Sequence, residues 1–131
     1  MNVLETEWWS MALPPEWWAE AEGDTILVGD RDEVGCIEIS TLRKEEGVFS
    51  ADEVRAIATD NAEGDWDWQP VTRGDFSGLR TAYGAEDASI REWCMAAEGT
   101  LLYITYSCDE ENRGMDDAAV DELLDTLLVA G

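Results

Sequence analysis

The sequence predicts an α+β fold: an antiparallel β-sheet of about six strands flanked by two or more α-helices, in a single domain over residues 1–131. Three observations support this. Two segments repeat apolar residues at helical spacing, and one of them opens with a capping signature. Short extended runs are separated by Glu-Gly pairs suited to tight hairpins. Apolar residues also fall on both faces of those runs, as in a sheet covered on both sides.

A first strand is expected over 8–13 and a hairpin over 17–29, its turn centred on Glu22-Gly23. That turn sets Trp17 opposite Val28 and Trp18 opposite Leu27. Neighbouring residues of a strand point to opposite faces. In Trp8-Trp9 and in Trp17-Trp18, one indole is therefore expected in the core and the other under a helix or at the surface. A strand over 35–42 leads to a helix over 50–62. Ser50-Ala51-Asp52-Glu53 reads as a capping box, Phe49 and Val54 as a hydrophobic staple, and Gly64 as the stop. Several strands are expected over 70–108, with a hairpin centred on Glu98-Gly99. Its register puts Met95 opposite Leu102 and Trp93 opposite Ile104 on one face, with Cys94 opposite Tyr103 and Ala96 opposite Leu101 on the other. A terminal helix over 116–129 carries Val120, Leu123, Leu124, Leu127 and Leu128 as one stripe, with Asp116 and Asp117 at the favourable end of its dipole.

Composition excludes more functions than it suggests. Thirty-one acidic residues stand against eight basic ones, for a formal charge of -23, and histidine is absent. Such a polyanion repels nucleic-acid phosphates and anionic lipid and attracts basic partners from a distance. Without histidine the chain lacks the commonest general base and metal ligand. Hydrophobic residues make up 45% and seven are tryptophans, so the chain is not a disordered acidic tail. No apolar stretch is long enough to span a bilayer. No positive residue precedes an apolar run at the N-terminus, so no secretory signal is expected. Cys36, Cys94 and Cys108 are an odd number without CxxC spacing. They fit a reducing cytoplasm and argue against both a disulfide framework and a zinc site. In the hairpin register Cys94 and Cys108 lie too far apart to join.

The opening Trp9-Ser10-Met11-Ala12-Leu13-Pro14-Pro15-Glu16-Trp17, the strand Gly35-Cys36-Ile37-Glu38-Ile39-Ser40, and Tyr103-Ile104-Thr105-Tyr106 leading to an amphipathic helix together resemble the Mog1/PsbP-like family, in particular its small bacterial members. The resemblance covers nearly the whole chain as a pattern of architecture. It implies an α/β/α sandwich and a non-enzymatic role, because members of that fold act as adaptors or chaperones. It brings no motif whose functional residues can be placed on this chain.

Two loops invite a calcium reading. The Asp30 loop has Gly35 at position six but Val34 and Thr41 where oxygen ligands belong. The Asp109 loop has Gly114 but fails at Arg113 and Val120. Both read as solvated turns, and no metal or cofactor is expected. No nucleophile elbow, HExxH, P-loop or Rossmann glycine pattern is present, so no catalytic residue is assigned. Asp65-Trp66-Asp67-Trp68 is the strongest binding candidate. If extended, it turns two indoles one way and two carboxylates the other, able to hold an arginine or lysine by ion pairing and cation–π contact; the competing reading has both indoles closing the core. Trp18 joins the set as the second indole of its pair.

The expectation is a cytoplasmic, non-enzymatic protein-binding module (an adaptor, chaperone or immunity-type protein) that takes a basic partner through Asp65, Trp66, Asp67, Trp68 and Trp18. Neither nucleic acid nor membrane is expected as a partner. One alternative is a small-ligand-binding housekeeping domain whose charge is a salt adaptation, which the even spread of acids along the chain favours. Another is a nucleic-acid mimic that occupies the groove of a DNA-binding protein.

Overall fold

In the computed structural model, which describes residues 2–31, 33–61 and 66–130, strands far outnumber helices. The chain runs through β1 (Asn2–Glu5), β2 (Trp9–Leu13), β3 (Trp17–Glu22), β4 (Thr25–Asp30) and β5 (Gly35–Arg43) to helix α1 (Ala51–Asn61). It continues through β6 (Gln69–Arg73), β7 (Phe76–Ala85), β8 (Ala88–Ala97) and β9 (Thr100–Asp109) to α2 (Asp117–Leu124) and β10 (Leu128–Val129). Seven strands form one antiparallel sheet in the order β3-β4-β5-β9-β8-β7-β6, and three form another, β1-β2-β10.

The predicted α+β class, with about six strands flanked by two or more helices as an α/β/α sandwich, is therefore corrected. The described residues make ten strands and two α-helices, a β-rich fold. The reason lies at the chain ends. The strand expected over 8–13 does not enter the main sheet but pairs with β1 and β10, and this small sheet shares one face of the large one with α2. The terminal helix stops at Leu124 instead of continuing to 129. Thr126 Oγ1 donates to Leu123 O (2.6 Å) and accepts from the amide of Ala12 (2.9 Å), drawing the chain onto β2. Leu128 and Val129 then pair with Ser10 and Trp9, so Leu128 leaves the apolar stripe and is exposed while Leu127 stays buried.

The β8–β9 hairpin matches the expected register in all four pairs, with Glu98 held at φ 54 in the loop. The β3–β4 register differs. Its two-residue loop is Gly23-Asp24, so Trp17 faces Asp30 and Trp18 faces Gly29. Gly23, at φ 62, takes the first loop position, where a II′-type turn needs glycine, and a loop moved by one residue moves every partner by two.

Helix α1 starts as its capping box dictates. Ser50 Oγ accepts from the Glu53 amide and Glu53 Oε1 accepts from the Ser50 amide, both at 3.1 Å. Lys44 sits 2.5 Å from Glu53 Oε2 and, with the Ser50 amide, lowers the Glu53 carboxyl below its ordinary range. The proposed stop at Gly64 lies outside the described residues. Val54 and Ala58 pack on Leu79, Cys94 and Leu101 beneath Trp68, which gives a small core on one face of the large sheet. The main core fills the other face, where Trp9, Met11, Leu123, Leu124 and Leu127 pack on Ile37, Ile39, Trp93, Met95, Leu102 and Ile104. Ion pairs hold α2 in place: Asp121 lies 2.8 Å from Arg91 and 3.3 Å from Arg73, while Asp117 and Asp125 pair with Arg91 and Arg73 respectively. All three cysteines are free and lie in strands.

Candidate functional site

On the α1 side of the large sheet, the helix covers only the end of β7, β8 and β9 that bears Leu79, Cys94 and Leu101. Among the described residues, no helix covers the β3–β5 part of that face, where Trp18, Glu20 and Glu38 are exposed, whereas Thr81 and Glu92 toward β7 are buried. Strand pairing lays out its rows: Trp18, Gly29, Cys36, Ser107, Ile90 and Tyr83 follow one another across six strands. The next row is Glu20, Leu27, Glu38, Thr105, Glu92 and Thr81. At about 4.8 Å per strand, the first row spans roughly 24 Å.

An aromatic group stands at each end. Trp18 is 41% exposed, and it has a seat: a Cβ placed on Gly29 would fall 2.6 Å from Trp18 Cζ2, so only glycine leaves room for the indole. Its Nε1 donates to Asp30 O at 3.3 Å, which fixes the ring orientation. At the other end Tyr83 stacks on Trp66, with ring centroids 4.0 Å apart and planes 6° from parallel. Beside them the buried Glu92 accepts from the Tyr83 hydroxyl through Oε2 and from the Tyr103 hydroxyl through Oε1. Burial first, then the hydrogen bond to Glu92 and its negative charge, push the Tyr103 phenol well above its ordinary range.

The charge of this face is of one sign. Glu20 and Glu38 are exposed on it, whereas the strand-borne arginines Arg43, Arg73, Arg80 and Arg91 all have the opposite parity and share the side of α2 and the small sheet. The even spread of acids along the sequence is therefore sorted by sheet parity into a face without a strand cation. Burial and then the Glu38 carboxylate raise the Cys36 thiol, so it is held in its neutral, less nucleophilic form.

At the Trp18 end the face deepens into a cleft of about 470 Å³, walled by Trp18, Cys36 and Ser107, with Asp30, Glu33 and Asp109 around it. A larger concavity of about 600 Å³ lies between the start of α1 and β6–β7, but it contains both Asp52 and Arg55, whose charges offset. Of the two segments weighed as calcium loops, residues 35–41 lie within β5 and Glu110–Asn112 forms a 3-10 turn, and among the described residues no group of three or more potential ligands gathers.

The expected site residues separate as follows. Asp65 lies outside the described residues. Trp66 is half-buried on Tyr83, Asp67 is exposed, and Trp68 is 7% exposed in the small core. The indoles and the carboxylate of 66–68 thus alternate as the sequence suggested, with both indoles turned inward. The carbonyl of Asp67 accepts from Thr81 Oγ1 at 3.1 Å, which ties the segment to β7. Trp18 and Trp66 end on the same face, at opposite ends of its first row. Sequence reasoning missed Gly29, Glu92 and Tyr83. Glu92 was accessible, because it lies two residues before Cys94 on the face the 98/99 register defines. Tyr83 was not, because the β7–β8 loop is Glu86-Asp87, with φ 46 and 67, positions where a sequence reader looks for Asn-Gly.

No protein-family model matches the chain, and no curated protein matches it. A solved structure from Bacteroides thetaiotaomicron VPI-5482 is similar in fold, with a TM-score of 0.69 at 17% identity over 95% of this chain and 46% of that one. At that identity the likeness shows the fold alone, and this chain spans less than half the length of that protein. The Mog1/PsbP-like resemblance rests on the sequence pattern. Among the described residues, no helix is long and apolar enough to cross a membrane.

Proposed function

We propose that this protein is a non-enzymatic binding module that docks a basic protein partner on the open face of its seven-stranded sheet. One observation supports this above the others: an indole exposed at one end of that face and held on a glycine seat, with exposed carboxylates and no strand arginine beside it. Steering by the net charge of -23 brings a cationic partner to the surface, and burial of Trp18 against it supplies the short-range contact. An adaptor or chaperone role in the manner of the Mog1/PsbP-like proteins is compatible with such a face.

The test is affinity capture from native lysate with three baits: the wild-type protein, Trp18→Ala with Glu38→Gln, and an unrelated acidic protein of matched charge, each at moderate and high salt. A stoichiometric partner held by the wild type at high salt and lost by the face variant supports the reading. Basic proteins captured equally by all three baits, and released by salt, would refute it.

A further inference from the structure

We infer that the cleft at the Trp18 end of the open face is a guanidinium site, which takes an arginine side chain of the basic partner in preference to lysine. The inference rests on the docking reading above and adds the chemistry of the contact.

Three observations lead to it. First, the chain already covers indoles with arginine. The guanidinium of Arg43 lies 4.0 Å from the ring centroid of Trp8, and that of Arg91 lies 4.6 Å from the ring of Trp93. Trp8 and Trp18 are similarly exposed, at 38% and 41%, yet among the described residues no cation lies over Trp18. Second, the Trp18 ring cannot settle into the sheet. Gly29 supports it on one side and the Asp30 carbonyl holds its Nε1, so the opposite side stays presented. Third, the cleft beside the ring measures about 470 Å³, and the exposed charged residues that line it, Glu33 and Asp109, are both acids, while Asp30 is buried opposite Trp17 and offers the indole its carbonyl. That volume is within the range of roughly 300–1,000 Å³ common for ligand pockets.

A planar cation that stacks on an indole while its edge donates to carboxylates fits this combination. Guanidinium is planar, more weakly hydrated than ammonium, and offers five donors in a fixed fork. Lysine brings the same charge but neither the stacking plane nor the fork. Bulk charge attracts both residues equally, so any discrimination between them isolates the cleft from the field of the whole protein.

The experiment compares two short capped peptides, identical except that one alternates glycine with arginine and the other glycine with lysine. Binding to the full chain is measured by calorimetry at about 0.15 M salt, where exposed charges more than about 8 Å apart are largely screened. The wild type is expected to bind the arginine peptide about three- to tenfold more tightly than the lysine peptide. Trp18→Ala should abolish that ratio, and Trp18→Phe, which keeps an aromatic face, should restore part of it. Near-ultraviolet circular dichroism checks the fold of each variant. Equal affinity for the two peptides, with both weakened by Trp18→Ala, would overturn the guanidinium site and leave the docking face standing. Binding that ignores Trp18, or no binding of either peptide, would overturn both.

Discussion

Raising the pH should unfold this protein through its tyrosines. The chain has three, and two of them are held neutral on opposite faces of the sheet. Burial first, then the hydrogen bond to Glu92, raises the Tyr103 phenol; burial first, then the 2.7 Å bond to Asp116, raises that of Tyr106. In the unfolded chain each phenol ionises near pH 10. Above that pH the folded state binds more protons than the unfolded one, so the stability they contribute is complete below about pH 10 and is lost as pH rises toward the folded values. Each phenol held neutral removes at most about 1.4 kcal/mol per pH unit, and the two together at most about 2.7. Against a typical domain stability of about 5–15 kcal/mol, such a slope exhausts the fold within a few units. Cys94, which burial pushes up to about 12, adds to the same slope above its ordinary range. Urea midpoints measured at steps from about pH 8 to pH 11 should begin to fall above about pH 9, where the Cys94 thiol of the unfolded chain ionises, and fall more steeply above about pH 10, where the tyrosines join it. Tyrosinate absorbance followed alongside should show two of the three phenols ionising only as the circular dichroism signal is lost. Two or more phenols ionising near pH 10 in a chain that keeps its native spectrum would refute the argument.

Two further outcomes follow from the fold. Ser50→Ala removes the hydroxyl half of the α1 capping box and should lower stability by about 1 kcal/mol, seen as a lower urea midpoint at unchanged slope. Asp121→Ala removes the carboxylate shared by Arg73 and Arg91; at roughly 1 kcal/mol it should cost more than Asp117→Ala, which breaks one pair at 3.4 Å on a more exposed side chain, and equal midpoints for the two variants would count against a shared clamp.

The sequence was most legible where local chemistry decides the outcome. The capping box at Ser50 involves four consecutive residues, and it forms with both expected hydrogen bonds. The Glu98-Gly99 loop set a register that holds across β8 and β9, and with it the two-sided burial of Trp93 and Cys94. Trp17 and Trp18 divided as strand alternation requires, inward and outward, while Trp9 is buried at the start of β2 and Trp8, in the bend before it, is exposed. Errors arose where a second chain segment casts the deciding vote. Leu128 continues a helical stripe in the sequence, but the edge of β2 offers it a backbone partner, and strand pairing wins. Glu22-Gly23 looks like Glu98-Gly99, yet in the first hairpin the glycine takes the first loop position and in the second hairpin the last. That one-residue difference hid the site, because only the true register places Gly29 beside Trp18.

Salt adaptation and partner docking both call for an acidic surface, so the charge alone does not separate them; the proposed docking rests instead on Trp18 and Gly29. An adapted surface needs carboxylates facing water and gains nothing from an indole left 41% exposed among them. Nor does it explain a glycine inside β4, a position where glycine weakens a strand unless a close approach requires it. Here the close approach is the Trp18 ring itself, 2.6 Å from where a Cβ would stand. The arginines point the same way. Arg73 and Arg91 are engaged with the acids of α2, and Arg43 covers Trp8, all on the far side of the sheet. Alternation means that a shift of one residue would carry Arg91 to the open face, two strands from Glu38. With Arg43, Arg73 and Arg91 engaged on the far side of the sheet, no strand arginine covers Trp18, and the docking of an outside cation that we propose rests on that arrangement.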